Sequence, residues 1–138
     1  MMDTVIPLAA ARGDTADSVV SASEVPKGRP APCMALKSAE QMNVYPVEAI
    51  VKIGDTVPDV AEGLNAGMWT IAVAETGNEV GLSESDLAAS DAETRKRRVA
   101  TAYERLAKAG AHYVIDGIAE LAPILDRINE RLASGERP

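Results

Sequence analysis

The chain of 138 residues fits one domain and is long enough to bury a real core. Its hydrophobic fraction of 46% and charged fraction of 25% are those of an ordinary globular protein, and no apolar run approaches the roughly 20 residues that cross a bilayer, which argues against a membrane partner. A formal net charge of −7 argues against nucleic acid as a partner, because a phosphate backbone repels an acidic surface and demands clustered cations.

Phe is absent and aromatics make up 3%, so the core must be built from Val, Ile, Leu, Ala and Met. Apolar positions at Met2, Val5, Ile6, Leu8 and Ala9 predict a helix over Met1–Arg12 despite Pro7; it opens without an N-cap, as a cut element would. Val19 and Val20 predict a short strand over Ser18–Ser21. The Pro- and Gly-rich stretch Glu24–Pro32 is a loop, and Pro30 or Pro32 opens a helix running to about Asn43. Cys33 is the single cysteine. It cannot form an internal disulfide, has no histidine nearby in sequence, and reads as structural; with no charged-then-apolar opening segment, a cytoplasmic location is expected.

The β-branched run Ala49–Ile53 predicts a strand stopped at Gly54-Asp55-Thr56, followed by a helix over Pro58–Asn65 that closes at Ala66-Gly67. Trp69–Ala74 is near-continuously apolar, as a parallel strand buried on both faces would be. A loop at Thr76–Gly81 leads to a short helix capped by Ser83, then to a longer one from Asp91 or Thr94 with Val99, Ala102, Tyr103 and Leu106 along one stripe. Arg95–Arg98 reads as the solvated face of that helix, balanced by Asp91, Glu93 and Glu104. Gly110 ends it, His112–Ile115 gives a last strand, and Ile118, Leu121, Leu125, Ile128 and Leu132 mark a final amphipathic helix. Strands alternating with helices at these spacings predict an α/β fold with a parallel sheet. The loops beginning at Ser21, Gly54 and Ala74 should then share the carboxyl rim, where such sheets bind ligands.

Two features on that rim carry chemistry. Gly54-Asp55-Thr56-Val57-Pro58-Asp59 places one carboxylate at a strand tip and a second in the first helical turn. Hard oxygen ligands on a rigid turn suit Mg²⁺, which takes one or two protein carboxylates while a substrate phosphate and waters complete its shell. Asp55 is the candidate metal ligand; Asp59 either supports it or serves the helix start. In Gly28-Arg29-Pro30-Ala31-Pro32, Arg29 is a fixed cation in a rigid loop before a helix, suited to an anionic phosphoryl group. His112, alone at a strand start, reads as structural.

The string Gly54-Asp55-Thr56-Val57-Pro58-Asp59-Val60-Ala61-Glu62-Gly63-Leu64-Asn65-Ala66-Gly67-Met68-Trp69-Thr70 resembles the fourth motif of haloacid dehalogenase superfamily phosphotransferases, whose acidic pair serves the Mg²⁺ site. Gly28-Arg29-Pro30-Ala31-Pro32 is similar to the third motif in its phosphonoacetaldehyde hydrolase branch. Further resemblance to that branch lies in Met1-Met2-Asp3, Pro7-Leu8-Ala9-Ala10, Val44-Tyr45-Pro46, Thr76–Leu82 and Gly110-Ala111-His112-Tyr113, so that it spans nearly the whole chain. Cys33 departs from it, standing where relatives tend to have a large aromatic.

The resemblance implies a haloacid dehalogenase-like (Rossmann-like) parallel sheet flanked by helices, with Asp55 as Mg²⁺ ligand, Asp59 supporting that site and Arg29 stabilising the transferring phosphoryl group. It also implies what residues 1–138 lack: the first-motif aspartate nucleophile, the Ser or Thr of the second motif, and the helical cap with its Schiff-base lysine. Residues 1–138 are accordingly expected to be the C-terminal part of a core domain, inactive alone. The expected activity of the intact enzyme, commonly paired through its cap, is hydrolysis of a small organophosphonate, phosphonoacetaldehyde, to acetaldehyde and phosphate. A phosphate-monoester phosphatase of the same superfamily and a non-catalytic binding module are the alternatives.

Overall fold

The computed structural model describes residues 6–7, 10–13 and 15–138; the helix expected over Met1–Arg12 falls largely outside them. Among the described residues three parallel strands in the order β1-β2-β3 form the sheet: β1 at Val51–Gly54, β2 at Trp69–Val73 and β3 at Tyr113–Ile115. Val51 pairs with Trp69 and Gly54 with Ala72, while Ile71 pairs with Tyr113 and Val73 with Ile115. The helices are α1 at Cys33–Gln41, α2 at Val57–Asn65, α3 at Glu84–Ala89, α4 at Ala92–Lys108 and α5 at Leu121–Ala133. Among the described residues no helix is long and apolar enough to cross a membrane.

The pleat sorts the core into two faces, because successive side chains of a strand point to opposite sides. Trp69, Ile71 and Val73 of β2 join Ile115 and the α5 residue Ile128, with Val51 and Ile53 of β1 packed beside them. Ala72 and Ala74 join Val60 of α2, Leu87 of α3, and Ala102 and Leu106 of α4 on the other face. Helices thus cover both faces, and every residue of β2 is buried, as its unbroken apolar run predicts. The stripe of α4 packs as expected, Val99 and Tyr103 beside the buried Ala102 and Leu106. A smaller cluster of Ala39, Ala66 and Met68 seats α1 against the end of α2.

Two expectations need correction. Residues Ser18–Ser21 form no strand; Ser21 instead caps a 3-10 turn at Ala22–Glu24, its backbone N–H donating to Glu24 Oε1 at 3.0 Å. A strand exists only beside a neighbour it can bond, and among the described residues β1 pairs with β2 alone. Val20 and Val51 both line a cavity of about 590 Å³ on that open side. Ile118, expected on the last helix, lies before it in a 3-10 turn at Ile118–Glu120 and is 57% exposed.

Candidate functional site

Alternation along β1 decides which side chain meets α2. Val51 and Ile53 belong to the α5 face, so Lys52 and Gly54 point the other way, toward the first two turns of α2. That helix starts at Thr56, whose hydroxyl accepts from the Asp59 N–H at 3.4 Å, with Pro58 in the first turn, where its missing N–H costs nothing. The buried face of α2 carries Asp59, Val60, Glu62 and Gly63. An apolar stripe would be usual there; two carboxylates stand in it instead.

These carboxylates are met by cations. Asp59 Oδ1 lies 2.6 Å from Arg29 Nη1 and 3.6 Å from Lys52 Nζ. Asp59 Oδ2 accepts the Thr56 hydroxyl at 2.5 Å. Lys52 Nζ is also 2.8 Å from Glu62 Oε2. Burial opposes ionisation of Asp59, but the Thr56 hydroxyl, the Arg29 hydrogen bond and the Lys52 charge outweigh it and hold the carboxyl below the usual carboxylate range. The same pair raises the Arg29 pKa, so the guanidinium is a permanent cation. Arg29 stays 48% exposed while Asp59 is 5% exposed, so the anchor is buried and the cation reaches solvent. Its loop is tied down from the far side, where Asn65 Nδ2 donates to the Pro30 carbonyl at 2.8 Å.

Close approach at this site depends on glycine. A Cβ on Gly54 would stand 2.8 Å from Asp59 Cγ and nearer still to its Cβ. One on Gly63 would meet Lys52 Cγ at 2.9 Å and collide with Thr70 Oγ1.

Asp55 sits on the other flank of the turn. Its Oδ2 accepts from the Asn78 backbone N–H at 3.0 Å and from Asn78 Nδ2 at 2.7 Å. Gly77 leaves room for it, since a Cβ there would stand 2.8 Å from Asp55 Cβ. The loop after β2 is fixed in turn by Glu79, which accepts from the Val57 N–H at 3.4 Å and pairs with Arg105 at 2.8 Å. A cleft of about 260 Å³ opens over the strand tips, lined by Gly54, Asp55, Thr76, Gly77 and Ile118. The carboxyl rim expected from the sequence therefore gathers Asp55, Asn78 and the Arg29–Asp59 pair.

The donor set fits a Mg²⁺ site supplied in part. Among the described residues both hydrogen bonds to Asp55 end on Oδ2, which leaves Oδ1 for a further ligand. No three Asp, Glu, His or Cys side chains cluster among those residues. One carboxylate oxygen on a rigid turn suits a cation that takes one or two protein carboxylates and completes its shell with water and substrate oxygens. Asp59 is spoken for by Thr56, Arg29 and Lys52, so any support it gives passes through those groups.

Sequence reasoning missed Lys52, Glu62 and Asn78. A lysine inside a β-branched run and a glutamate three residues after Asp59, on the same helical face, were the available signals. The basic cluster does lie on the solvated side of α4, but Arg95 pairs with Glu75, while Asp91 caps the helix by accepting from the Thr94 N–H at 2.9 Å. His112 lies away from the rim: its Nδ1 accepts from the Thr70 N–H at 2.9 Å, and its ring is 5.0 Å from that of Trp69.

No protein-family model matches the chain. It is 51% identical, over all 138 residues, to a phosphonoacetaldehyde hydrolase-like protein of Syntrophobacter fumaroxidans and covers 50% of that protein. It is 50% identical over its whole length to a phosphonoacetaldehyde hydrolase of Nitratidesulfovibrio vulgaris, covering 49% of it. Among solved structures, a phosphonoacetaldehyde hydrolase-like protein from Oleispira antarctica superimposes with a TM-score of 0.93 at 44% identity, over 99% of this chain and 50% of that one. The chain spans about half the length of each of these three relatives.

Proposed function

We propose that the chain belongs to the phosphonoacetaldehyde hydrolase family over the half-length it spans, and that it supplies the phosphoryl-binding part of a Mg²⁺-dependent hydrolase acting on the C–P bond of phosphonoacetaldehyde. Water and substrate give acetaldehyde and phosphate. The observation that carries this reading is the Arg29 guanidinium, half exposed and held 2.6 Å from buried Asp59, on the same rim as Asp55.

In this reading Arg29 binds the phosphoryl oxygens as a planar, permanently charged donor, and its rigid loop fixes the direction of approach. Asp59 orients Arg29 from behind and stays ionised while it does so. Asp55 offers one oxygen to Mg²⁺, with Asn78 fixing the carboxylate plane. The metal supplies charge neutralisation at the phosphoryl oxygens when bound. The nucleophile and the Schiff-base lysine are assigned to an upstream half, with residues 1–138 as the C-terminal part of the core domain. A cytoplasmic location belongs to the same proposal.

The experiment compares the 138-residue chain with the same chain fused to the upstream half of the Syntrophobacter fumaroxidans relative, following acetaldehyde from phosphonoacetaldehyde with Mg²⁺. Turnover in the fused protein alone is expected. Turnover by the chain alone would refute the division of labour. A fused protein that releases phosphate from phosphate monoesters but no acetaldehyde would instead be the phosphatase.

A further inference from the structure

We propose that Lys52 is a positioning residue for Arg29, acting through the carboxylate of Asp59, and that Glu62 holds Lys52 in place for that task. This rests on the reading of Arg29 as the phosphoryl-binding cation. The two cations share one atom: Arg29 Nη1 at 2.6 Å and Lys52 Nζ at 3.6 Å both address Asp59 Oδ1, while Oδ2 is occupied by the Thr56 hydroxyl.

A guanidinium bound to a carboxylate of its own is a poor anion receptor, because the pair is already neutral and an incoming phosphoryl group must compete with it. A second cation on the same carboxylate oxygen divides its charge. Arg29 then keeps its direction from Asp59 without surrendering its pull on an anion. Two cations on one carboxylate would repel each other unless another negative charge stood behind them, and Glu62 supplies it at 2.8 Å from Lys52 Nζ. Arg29, Lys52, Asp59 and Glu62 sum to zero charge.

Stability alone does not account for this arrangement. Glu62 is 1% exposed and its Oε1 has no hydrogen-bond partner among the described residues. Buried ion pairs commonly fail to recover their desolvation, and an apolar pair of the same volume holds a core as well. The stem of Lys52, together with Thr70 Oγ1, also leaves no room for a Cβ at Gly63 inside α2. Lys52, Glu62 and Arg29 further line the same cavity of about 590 Å³ beside the open edge of β1.

The test uses the fused protein and two readouts: calorimetric affinity for inorganic phosphate, which needs no turnover, and KM and kcat for phosphonoacetaldehyde. Lys52→Met alone strands the buried Glu62 charge, so the variant of choice is Lys52→Met with Glu62→Leu, which keeps the cluster neutral. It is expected to unfold cooperatively, to bind phosphate about tenfold more weakly, and to raise KM by about the same factor with kcat changed less than about threefold. Glu62→Gln should act in the opposite direction, because it leaves Lys52 wholly to Asp59; phosphate is expected to bind about threefold tighter. A merely structural role would weaken binding in both or in neither, and either result overturns the proposal. Arg29→Ala separates the two readings. If it leaves phosphate affinity unchanged, the role given to Arg29 fails and this inference with it; if it weakens binding while the paired variant does not, only the role of Lys52 fails.

Discussion

Gly63 sits inside a helix, in its last turn, where glycine is the wrong residue by up to about 1 kcal/mol against alanine. Its neighbours explain it. A methyl group at this position would stand 2.9 Å from Lys52 Cγ and would collide with Thr70 Oγ1, and both atoms lie near the roots of their side chains, so neither can swing clear. Overpacking of this kind costs about 1 to 3 kcal/mol, which outweighs the helix gain in most of that range. Gly63→Ala in the fused protein is therefore expected to lower stability, read as a lower urea midpoint with an unchanged slope. A midpoint equal to or above that of the unsubstituted protein would mean that Lys52 and Thr70 yield. In that case the cluster around Asp59 is not held by packing.

At the level of elements, β3 is tied to β2 beyond the ladder by one residue. The His112 backbone N–H donates to the Thr70 carbonyl at 2.9 Å, and its ring Nδ1 accepts from the Thr70 N–H at 2.9 Å, so the side chain completes a pairing that the backbone begins. An accepting Nδ1 carries no proton. Burial, helped by the Arg131 charge, pushes the imidazole pKa below its ordinary 6.5. The sign follows: below pH 6.5 the unfolded chain binds a proton that the folded one refuses, so this contribution is complete above that pH and declines as pH falls toward the folded value. Urea midpoints at about pH 7.5 and about pH 5 should differ more for the unsubstituted fused protein than for His112→Asn, which keeps an acceptor but does not titrate. Equal differences would show that the imidazole is free to protonate.

The same elements show what a sequence can tell. Trp69–Ala74 is legible because a strand buried on both faces writes its burial as an unbroken apolar run, and the caps at Ser83 and Asp91 are legible because they act locally. Ser18–Ser21 carries the composition of a strand, but a strand needs a partner and its own residues do not encode one. Asp55 and Arg29 stand out as a charge at a strand tip and a charge between prolines. Lys52 does not, because its meaning depends on which way β1 is turned against α2, and that is fixed only by packing from α5. Asn78 is hidden for a similar reason: it reaches Asp55 from 23 positions further along the chain.

At the scale of the whole molecule, the sheet is unevenly covered. Every residue of the central strand β2 is buried, whereas every residue of β1 is only half-buried. The difference lies along the edge of β1, where Val51 and Lys52 face a cavity of about 590 Å³ shared with Val20, Met34 and Met68. Leu36, Met42, Val44 and Tyr45 are exposed as well, Tyr45 at 90%. An unpaired parallel strand with β-branched residues offers free N–H and C=O groups to any other strand edge, and native proteins normally block such edges by covering, charging or bulging them. Lys52 does not serve as that block, since its charge is turned inward to Asp59 and Glu62. The 138-residue chain alone is therefore expected to self-associate through β1: light scattering after size exclusion should give species larger than the monomer, with no single cooperative thermal transition. Fusion to the upstream half should restore both a defined mass and a cooperative transition, because a strand laid against β1 satisfies the edge and fills the cavity together. A soluble monomer of the chain alone, melting cooperatively, would mean that the open edge is tolerated and that this half-length is a folding unit of its own.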